Sequence, residues 1–198
     1  MNAQTTRVIL ILSSFVVGLA VVFGAIMLLA GRGGPGVTQP SSVGGPFRLV
    51  DGAGKVVTDQ DMKGKPFLVF FGFTHCPEVC PTALFEISEI FRKLGPDGDK
   101  AAALFITVDP ERDTPAVMKD YLSNFDPHLH GLTGSREQID PVLKRYRVYS
   151  KKVPLDGGDY TMDHTALVYL MDKEGKFVAP FNIKRSAEAA AADLRKYL

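Results

Sequence analysis

The sequence predicts an α/β domain with a central sheet of mixed strand direction, preceded by one N-terminal transmembrane helix. Apolar, strand-like runs alternate with amphipathic, helix-like stretches along most of the chain. Two apolar runs near the C-terminus flank a short turn, which predicts an antiparallel pair within the sheet. The N-terminal region contains a long segment without a charged residue.

The uncharged segment runs from Val8 to Gly31 and consists almost entirely of apolar or small residues. At about 1.5 Å rise per residue, it is long enough to cross the roughly 30 Å hydrocarbon core of a bilayer. A secretory signal has a shorter apolar region of about 7–15 residues, so we expect an anchor over residues 8–30 that is retained. Residues 1–7 are then a short cytoplasmic tail, and the domain lies on the outer side of the membrane, in the periplasm or the intermembrane space.

Residues 31–45 are rich in Gly, Pro and Ser, which predicts a flexible linker before a folded domain over residues 46–198. The formal net charge of the chain is only +1. Proteins that bind phosphate backbones are usually strongly basic, so we expect no nucleic-acid partner. Nothing in the composition requires an assembly larger than a monomer.

The first half of the domain begins with two short strands, over residues 47–50 and 55–57, joined by a turn that contains Asp51-Gly52. Residues 67–73 form an apolar run typical of a buried strand, and an amphipathic helix is predicted over residues 82–93. Together these signals predict a hairpin followed by a strand–helix unit.

A second buried strand is predicted over residues 103–108. Thr114 and Pro115 then suit the N-cap and the first position of a helix that extends to residue 124. Further helices are predicted over 135–146 and 186–197 and paired strands over 165–171 and 176–181, the latter joined by a turn at Gly175.

Cys76 and Cys80 are the only cysteines of the chain, and they lie where the strand over 67–73 ends and a helix begins. The first turn of a helix has free N–H groups and a partial positive charge, which favour thiolate over thiol. Positions i and i+4 of one helical turn lie about 5–6 Å apart at Cβ, so the two sulfurs can bind one metal ion or form a disulfide. The pair therefore predicts redox or metal chemistry. A purely structural disulfide across one turn would close too small a loop to stabilise the fold much.

A metal bound by two thiolates needs a third ligand, and the chain has four histidines. We expect the His75 side chain to point away from that of its neighbour Cys76. His128 and His130 lie in a polar stretch that predicts a surface loop, whereas His164 precedes an apolar strand on a loop that could reach the cysteines. The residues alone leave open whether His164 is a ligand.

Three blocks of sequence, in this order, resemble the Sco/SenC family of copper chaperones. They are Cys76-Pro77-Glu78-Val79-Cys80-Pro81, Val108-Asp109-Pro110-Glu111-Arg112-Asp113-Thr114 and Tyr160-Thr161-Met162-Asp163-His164-Thr165. The resemblance covers about residues 46–198 and implies a thioredoxin-like fold, with a central mixed sheet flanked by helices. It also implies a copper ion, Cu(I) or Cu(II), held by Cys76, Cys80 and His164, and the sequence shows no departure from the family at these positions.

The function implied by the resemblance is that of a membrane-anchored chaperone rather than an enzyme. It would deliver copper to the copper A site of a cytochrome c oxidase subunit. Soft thiolates select Cu(I), and a site with three protein ligands is open to the thiolates of a partner. The same dithiol, Cys76 and Cys80, could instead act as a thiol-disulfide oxidoreductase that keeps the cysteines of an oxidase subunit or of another copper carrier reduced. A redox or copper sensor is a third hypothesis.

Two acidic residues near the expected site have open roles. Asp109 ends a strand that we expect beside the cysteine-bearing strand, so it could orient His164, contact a partner or simply form a turn. Asp163, next to His164, has the same alternatives. Gly157-Gly158 predicts a mobile loop before His164.

Overall fold

The computed structural model describes residues 3–30 and 43–198, and the chain divides into two units, residues 1–41 and 42–198. In the first unit, helix α1 spans Ala3–Ala30. By length and mean hydropathy together, no helix among the described residues qualifies as a membrane span. The transmembrane helix therefore stays a prediction. Residues 31–42 of the linker predicted over 31–45 lie outside the described residues.

The second unit contains a seven-stranded main sheet and a separate two-stranded sheet. The strands are β1 (Arg48–Asp51), β2 (Val56–Thr58), β3 (Phe67–Gly72), β4 (Ala102–Thr107), β5 (Leu129–Thr133), β6 (Ser150–Pro154), β7 (Tyr160–His164), β8 (Val168–Met171) and β9 (Phe177–Pro180). The helices are α2 (Val79–Leu94), α3 (Pro115–Leu122), α4 (Arg136–Tyr146) and α5 (Ala187–Arg195). The main sheet has the order β2-β1-β5-β4-β3-β8-β9, and β6 pairs with β7. The pairs β3–β4 and β4–β5 are parallel and the others antiparallel, which confirms a mixed α/β fold.

The two central strands, β3 and β4, are buried along their whole length. Strands covered on both faces carry continuous apolar runs rather than alternating ones, which is why both could be predicted from the sequence. Their parallel register pairs Gly72 with Thr107, so the two strands end side by side. The segment after β3, residues 73–78, is called the cysteine turn below, and the segment after β4, residues 109–113, is called the aspartate loop.

The helix predictions agree with the structure apart from shifts at their ends. Thr114 caps α3, and its hydroxyl accepts a hydrogen bond from the backbone N–H of Val117 at 3.3 Å. Helix α2 begins at Val79, earlier than predicted, because Pro81 is tolerated in a first turn whose N–H groups have no partner within the helix.

The polar stretch that contains His128 and His130 was predicted to be a loop, and this prediction is wrong for His130. His130 lies in β5, with its side chain exposed. Backbone pairing with β4 on one side and with β1 on the other stabilises this strand, so it can form without a strong apolar pattern in its sequence.

His164 was also predicted to lie on a loop, and it is instead the last residue of β7. Strands β6 and β7 form an antiparallel ribbon. Its residues are exposed or half-buried, except Met162, which is buried. With little apolar surface to bury, the ribbon leaves no periodic signal in the sequence.

His128 links two acidic residues, Asp126 and Asp99. Its Nδ1 lies 2.7 Å from Asp126 and its Nε2 lies 3.1 Å from Asp99, while the ring stacks on Phe91 with centroids 5.1 Å apart. Burial lowers the pKa of His128, but the hydrogen bonds to Asp126 and Asp99 outweigh it, so the pKa is raised overall. The protonated imidazole is thus favoured in the folded state.

We predict that His128→Gln lowers the free energy of unfolding more at pH 6 than at pH 8.5. A raised pKa in the folded state gives a stabilisation that is complete below the unfolded value, about 6.5, and is lost as the pH rises through the folded value. The pH-dependent part should be about 0.5–1 kcal/mol, because the pair is partly solvated. Urea unfolding at both pH values measures it, with the exposed His75→Gln as control. An equal loss at both pH values would contradict the prediction, since lost stacking alone does not depend on pH.

Candidate metal centre

The cysteines do not share one helical turn, contrary to the sequence prediction. Cys76 lies in the cysteine turn, whereas Cys80 is the second residue of α2. The physical reason is Pro77, because a residue that precedes proline is disfavoured in the helical conformation. The two residues are nevertheless in contact, since the backbone N–H of Cys80 donates a hydrogen bond to Cys76 Sγ at 3.4 Å. Both thiols are free.

The two sulfurs differ in their exposure. Cys80 is fully buried, whereas Cys76 is half-buried. The space for the Cys80 sulfur depends on Gly72, the last residue of β3. A Cβ atom at Gly72 would lie 2.7 Å from Cys80 Sγ and 2.6 Å from the Phe105 ring. Sequence reasoning missed Gly72, although a glycine at the end of an apolar strand is a known sign of close approach.

Burial raises the pKa of the Cys80 thiol, and the nearby charge of Cys76 adds to the shift. This is opposite to the thiolate-favouring effect expected from the helix N-terminus. The loss of hydration at a fully enclosed sulfur outweighs the helix, since burial disfavours the charged form. The neutral thiol of Cys80 is therefore favoured in the metal-free protein.

His164 faces Cys80, with its Nε2 3.9 Å from Cys80 Sγ. Its Nδ1 lies 3.1 Å from the carbonyl oxygen of Thr165. A carbonyl oxygen can only accept, so Nδ1 carries the hydrogen and Nε2 presents its lone pair to the sulfur. Burial lowers the pKa of His164, which favours the neutral, metal-binding imidazole. The Phe70 and Phe73 rings meet the imidazole edge-on, with centroids 6.5 and 5.8 Å from its own.

The distance between Cys80 and His164 suits a shared metal ion. A thiolate about 2.3 Å and an imidazole about 2.0 Å from one ion are at most about 4.3 Å apart, taking zinc as a guide. Within the described residues, no three His, Cys, Asp or Glu side chains are already grouped to hold a metal. A three-ligand site therefore requires the Cys76 side chain to turn towards the other two.

The other histidines have different partners. His75 is exposed, with its Nδ1 3.1 Å from the Thr74 hydroxyl. His128 is occupied by its two carboxylates, and His130 is exposed on β5. His164 is thus the histidine that the structure places beside Cys80.

Asp109 bonds to neighbours other than His164. Its fully buried carboxylate accepts hydrogen bonds from the Tyr160 hydroxyl at 3.0 Å and from Arg112 Nε at 2.5 Å. Tyr160 is the first residue of the strand that ends at His164, so Asp109 reaches the histidine only through that strand. Asp163 is exposed and lies opposite Lys151 in the backbone register of the ribbon.

We predict that Gly72→Ala lowers the free energy of unfolding by about 1–3 kcal/mol, because a methyl group must displace the Cys80 sulfur or the Phe105 ring in a packed core. Chemical unfolding of the reduced protein measures the loss. Gly18→Ala is the control, since no neighbouring group among the described residues lies within 4 Å of a Cβ atom at that position. Equal stability of both variants would show that the sulfur is not tightly enclosed.

Comparisons with known proteins agree with this architecture. The sequence model of the SCO1/SenC family matches residues 35–198. The SCO2-like protein of Rickettsia prowazekii is 35% identical over 196 residues, which cover 95% of each chain. The structure of Bradyrhizobium japonicum ScoI with copper bound is 66% identical, with a TM-score of 0.78, and the match covers 79% of this chain and 100% of that one. Yeast Sco1 with copper bound is 38% identical, with a TM-score of 0.71, over 79% of this chain and 88% of that one.

These likenesses confirm the thioredoxin-like fold, with its mixed central sheet and flanking helices. The family match also includes all three sequence blocks. The chain belongs to the SCO1/SenC family.

Proposed function

We propose that this protein is a copper chaperone that binds Cu(I) or Cu(II) through Cys76, Cys80 and His164. The observation that carries the proposal is the lone pair of His164 Nε2, which faces the Cys80 sulfur at 3.9 Å. The copper-bound structures of ScoI and yeast Sco1 support copper as the metal. The copper A site of a cytochrome c oxidase subunit is proposed as the recipient from the resemblance of the three sequence blocks to copper chaperones.

The donor set suits a metal that must be passed on. Thiolates are soft ligands that select Cu(I), and imidazole also suits Cu(II). Binding releases the thiol protons, and this matters most at Cys80, whose pKa is raised by burial. Because Cys76 is half-buried, a thiolate of the recipient can approach the metal from its side and replace the ligands one at a time.

A thiol-disulfide oxidoreductase is the second candidate, favoured by the unequal exposure of the two sulfurs. In this reaction the Cys76 thiolate attacks a partner disulfide to form a mixed disulfide, and one partner thiolate leaves. Cys80 then attacks Cys76 Sγ, which forms the intramolecular disulfide and releases the second partner thiolate. The raised pKa of Cys80 slows this second step, since a thiolate must attack, and we therefore favour the chaperone.

One substitution separates the two functions. We predict that His164→Ala lowers the affinity for Cu(II) at least about ten-fold while the dithiol still reduces a model disulfide at the parental rate. Competition with a chromophoric chelator measures affinity, and release of a coloured thiol measures exchange. His75→Ala, which removes a neighbouring exposed imidazole, is the matched control. Replacement of Cys76 or Cys80 by serine should abolish both activities. Parental copper affinity in His164→Ala would refute the ligand assignment.

We also propose that residues 8–30 anchor the protein in a membrane, with the domain on its outer side. The uncharged run in the sequence supports this, as do the exposed apolar side chains between Phe15 and Met27 of α1.

The anchor predicts that the full chain stays with membranes after an alkaline carbonate wash. Val16→Lys combined with Phe23→Lys should release it, since a charge at the centre of a spanning helix costs about 3 kcal/mol. Val56→Lys with Val117→Lys, at exposed positions of the domain, is the control and should not release it. Release of the parent by the wash would contradict the anchor.

A further inference from the structure

The two halves of the metal centre belong to different sheets. The cysteine turn follows β3 of the main sheet, whereas His164 ends β7, which among the described residues pairs with β6 alone. An isolated two-stranded ribbon is at best marginally stable in water. Side-chain contacts with the rest of the domain must therefore fix the position of His164 relative to the cysteines.

The cysteine turn is held by Asp113 of the aspartate loop. The Asp113 carboxylate is fully buried and accepts hydrogen bonds from the Thr74 hydroxyl at 2.6 Å and from the Thr74 backbone N–H at 3.2 Å. A third hydrogen bond, at 2.6 Å, comes from the hydroxyl of Thr107 at the end of β4. Thr74 lies two residues before Cys76, so these bonds fix the start of the turn that places the first sulfur.

The ribbon is held by Arg112 of the same loop. The Arg112 guanidinium lies over the Tyr160 ring, 3.7 Å from its centroid, and donates a hydrogen bond to the Tyr160 carbonyl at 2.9 Å. Asp109 completes the cluster by binding both Arg112 and the Tyr160 hydroxyl. Arg112 also lies 5.9 Å from the centroid of Phe73, the ring that packs edge-on against His164.

The loop that makes both sets of contacts is itself tightly fixed. The backbone N–H groups of Arg112 and Asp113 both donate to the Asp109 carbonyl, at 3.2 and 3.0 Å. The Thr133 hydroxyl donates to the Asp113 carbonyl at 2.6 Å. A short turn with its carbonyl groups bonded in this way moves as one piece, so a contact at one end fixes the position of the other.

We propose that the aspartate loop sets the distance between the thiol and imidazole halves of the metal centre, with Asp113 positioning the cysteine turn and Arg112 positioning the strand that carries His164. The inference rests on the proposed copper site for its metal readouts. Both are positioning residues, because Asp113 acts through Thr74 and Arg112 acts through Tyr160 and Phe73.

Displacement of the cysteine turn and displacement of the β6–β7 ribbon have different consequences for the two oxidation states of copper. Two thiolates are sufficient soft ligands for Cu(I), whereas Cu(II) gains more from the imidazole. Displacing the ribbon therefore weakens Cu(II) selectively, and displacing the cysteine turn weakens both states. A merely structural role, in which each substitution loosens the whole domain, would not separate Cu(I) from Cu(II).

Arg112→Lys tests whether Arg112 positions the strand that carries His164. It keeps the positive charge but loses the planar guanidinium that bonds to Asp109 and Tyr160. It should lower the Cu(II) affinity of the full chain at least about ten-fold and the Cu(I) affinity less than about three-fold. Arg195→Lys is the matched control. Arg195 likewise bonds to a carboxylate, that of Asp97, and to a carbonyl oxygen, that of Lys93, but these contacts lie away from the aspartate loop and from both halves of the site.

Asp113→Asn tests whether Asp113 positions the cysteine turn. It should lower the affinities for Cu(I) and for Cu(II) about ten-fold, since neutral hydrogen bonds replace charge-assisted ones. If Asp113→Asn fails to fold, Thr74→Val replaces it as the test. Valine has a side chain of similar shape without the hydroxyl, and this variant should also weaken the binding of both Cu(I) and Cu(II). Asp126→Asn is the matched control, because Asp126 also accepts a backbone N–H, that of His128, but lies in another part of the domain.

Amide hydrogen exchange of the metal-free protein provides a readout that does not depend on copper. Exchange should accelerate at Thr74 and Cys80 in Asp113→Asn and along β7 in Arg112→Lys, with β3 and β4 unchanged. If the parent binds no copper, the proposed function fails, and this exchange pattern alone decides the inference. A uniform acceleration across the domain, or an equal loss of both copper states in Arg112→Lys, overturns it.

Discussion

The parallel pairing of β3 with β4 is the constraint on which the site depends. Both strands are buried on both faces, so their register is fixed by packing as well as by hydrogen bonds. Gly72 and Thr107 are the last residues paired in register. One further hydrogen bond, from the Val108 N–H to the Gly72 carbonyl at 2.7 Å, joins the two segments beyond them. The cysteine turn and the aspartate loop therefore leave the sheet at the same edge. At that edge the hydrogen bonds from Thr74 to Asp113 join the two segments and fix the start of the cysteine turn.

The enclosed position of Cys80 makes the two sulfurs chemically unequal. The helix N-terminus favours a thiolate, but the surrounding side chains remove the water that would stabilise the charge, and the pKa of Cys80 is raised. In the proposed copper site, the metal ion would provide the compensating positive charge in this enclosed space. Cys76 keeps contact with solvent and is the sulfur that a partner reaches first. The missing side chain of Gly72 makes this asymmetry possible, because it leaves room for the buried sulfur.

The sequence predicted those parts of the domain that leave a local signal. Strands β3 and β4 are continuous apolar runs, and Thr114-Pro115 marks the start of α3. Strand β5 and the β6–β7 ribbon were missed because backbone pairing stabilises them rather than an apolar pattern. In the site, the motif identified the cysteines and His164 as candidates, and Pro77 could have shown that Cys76 lies outside the helix. The contact between Arg112 and Tyr160 joins residues 48 positions apart, and no local pattern predicts it.

The division of the proposed ligands between two sheets suits a metal that must be both held and released. Cys80 is fixed within the core, and its movement would disturb β3 and the Phe105 ring. His164 lies on a ribbon outside the main sheet, so its displacement breaks no strand pairing of that sheet, although it opens the contacts of the imidazole with Phe70 and Phe73. A carrier in which every ligand had the rigidity of Cys80 would bind copper and give it up slowly, because each step of the exchange would strain the core. With one ligand on a separate ribbon and one sulfur open to solvent, a recipient can replace the histidine and Cys76 first and Cys80 last.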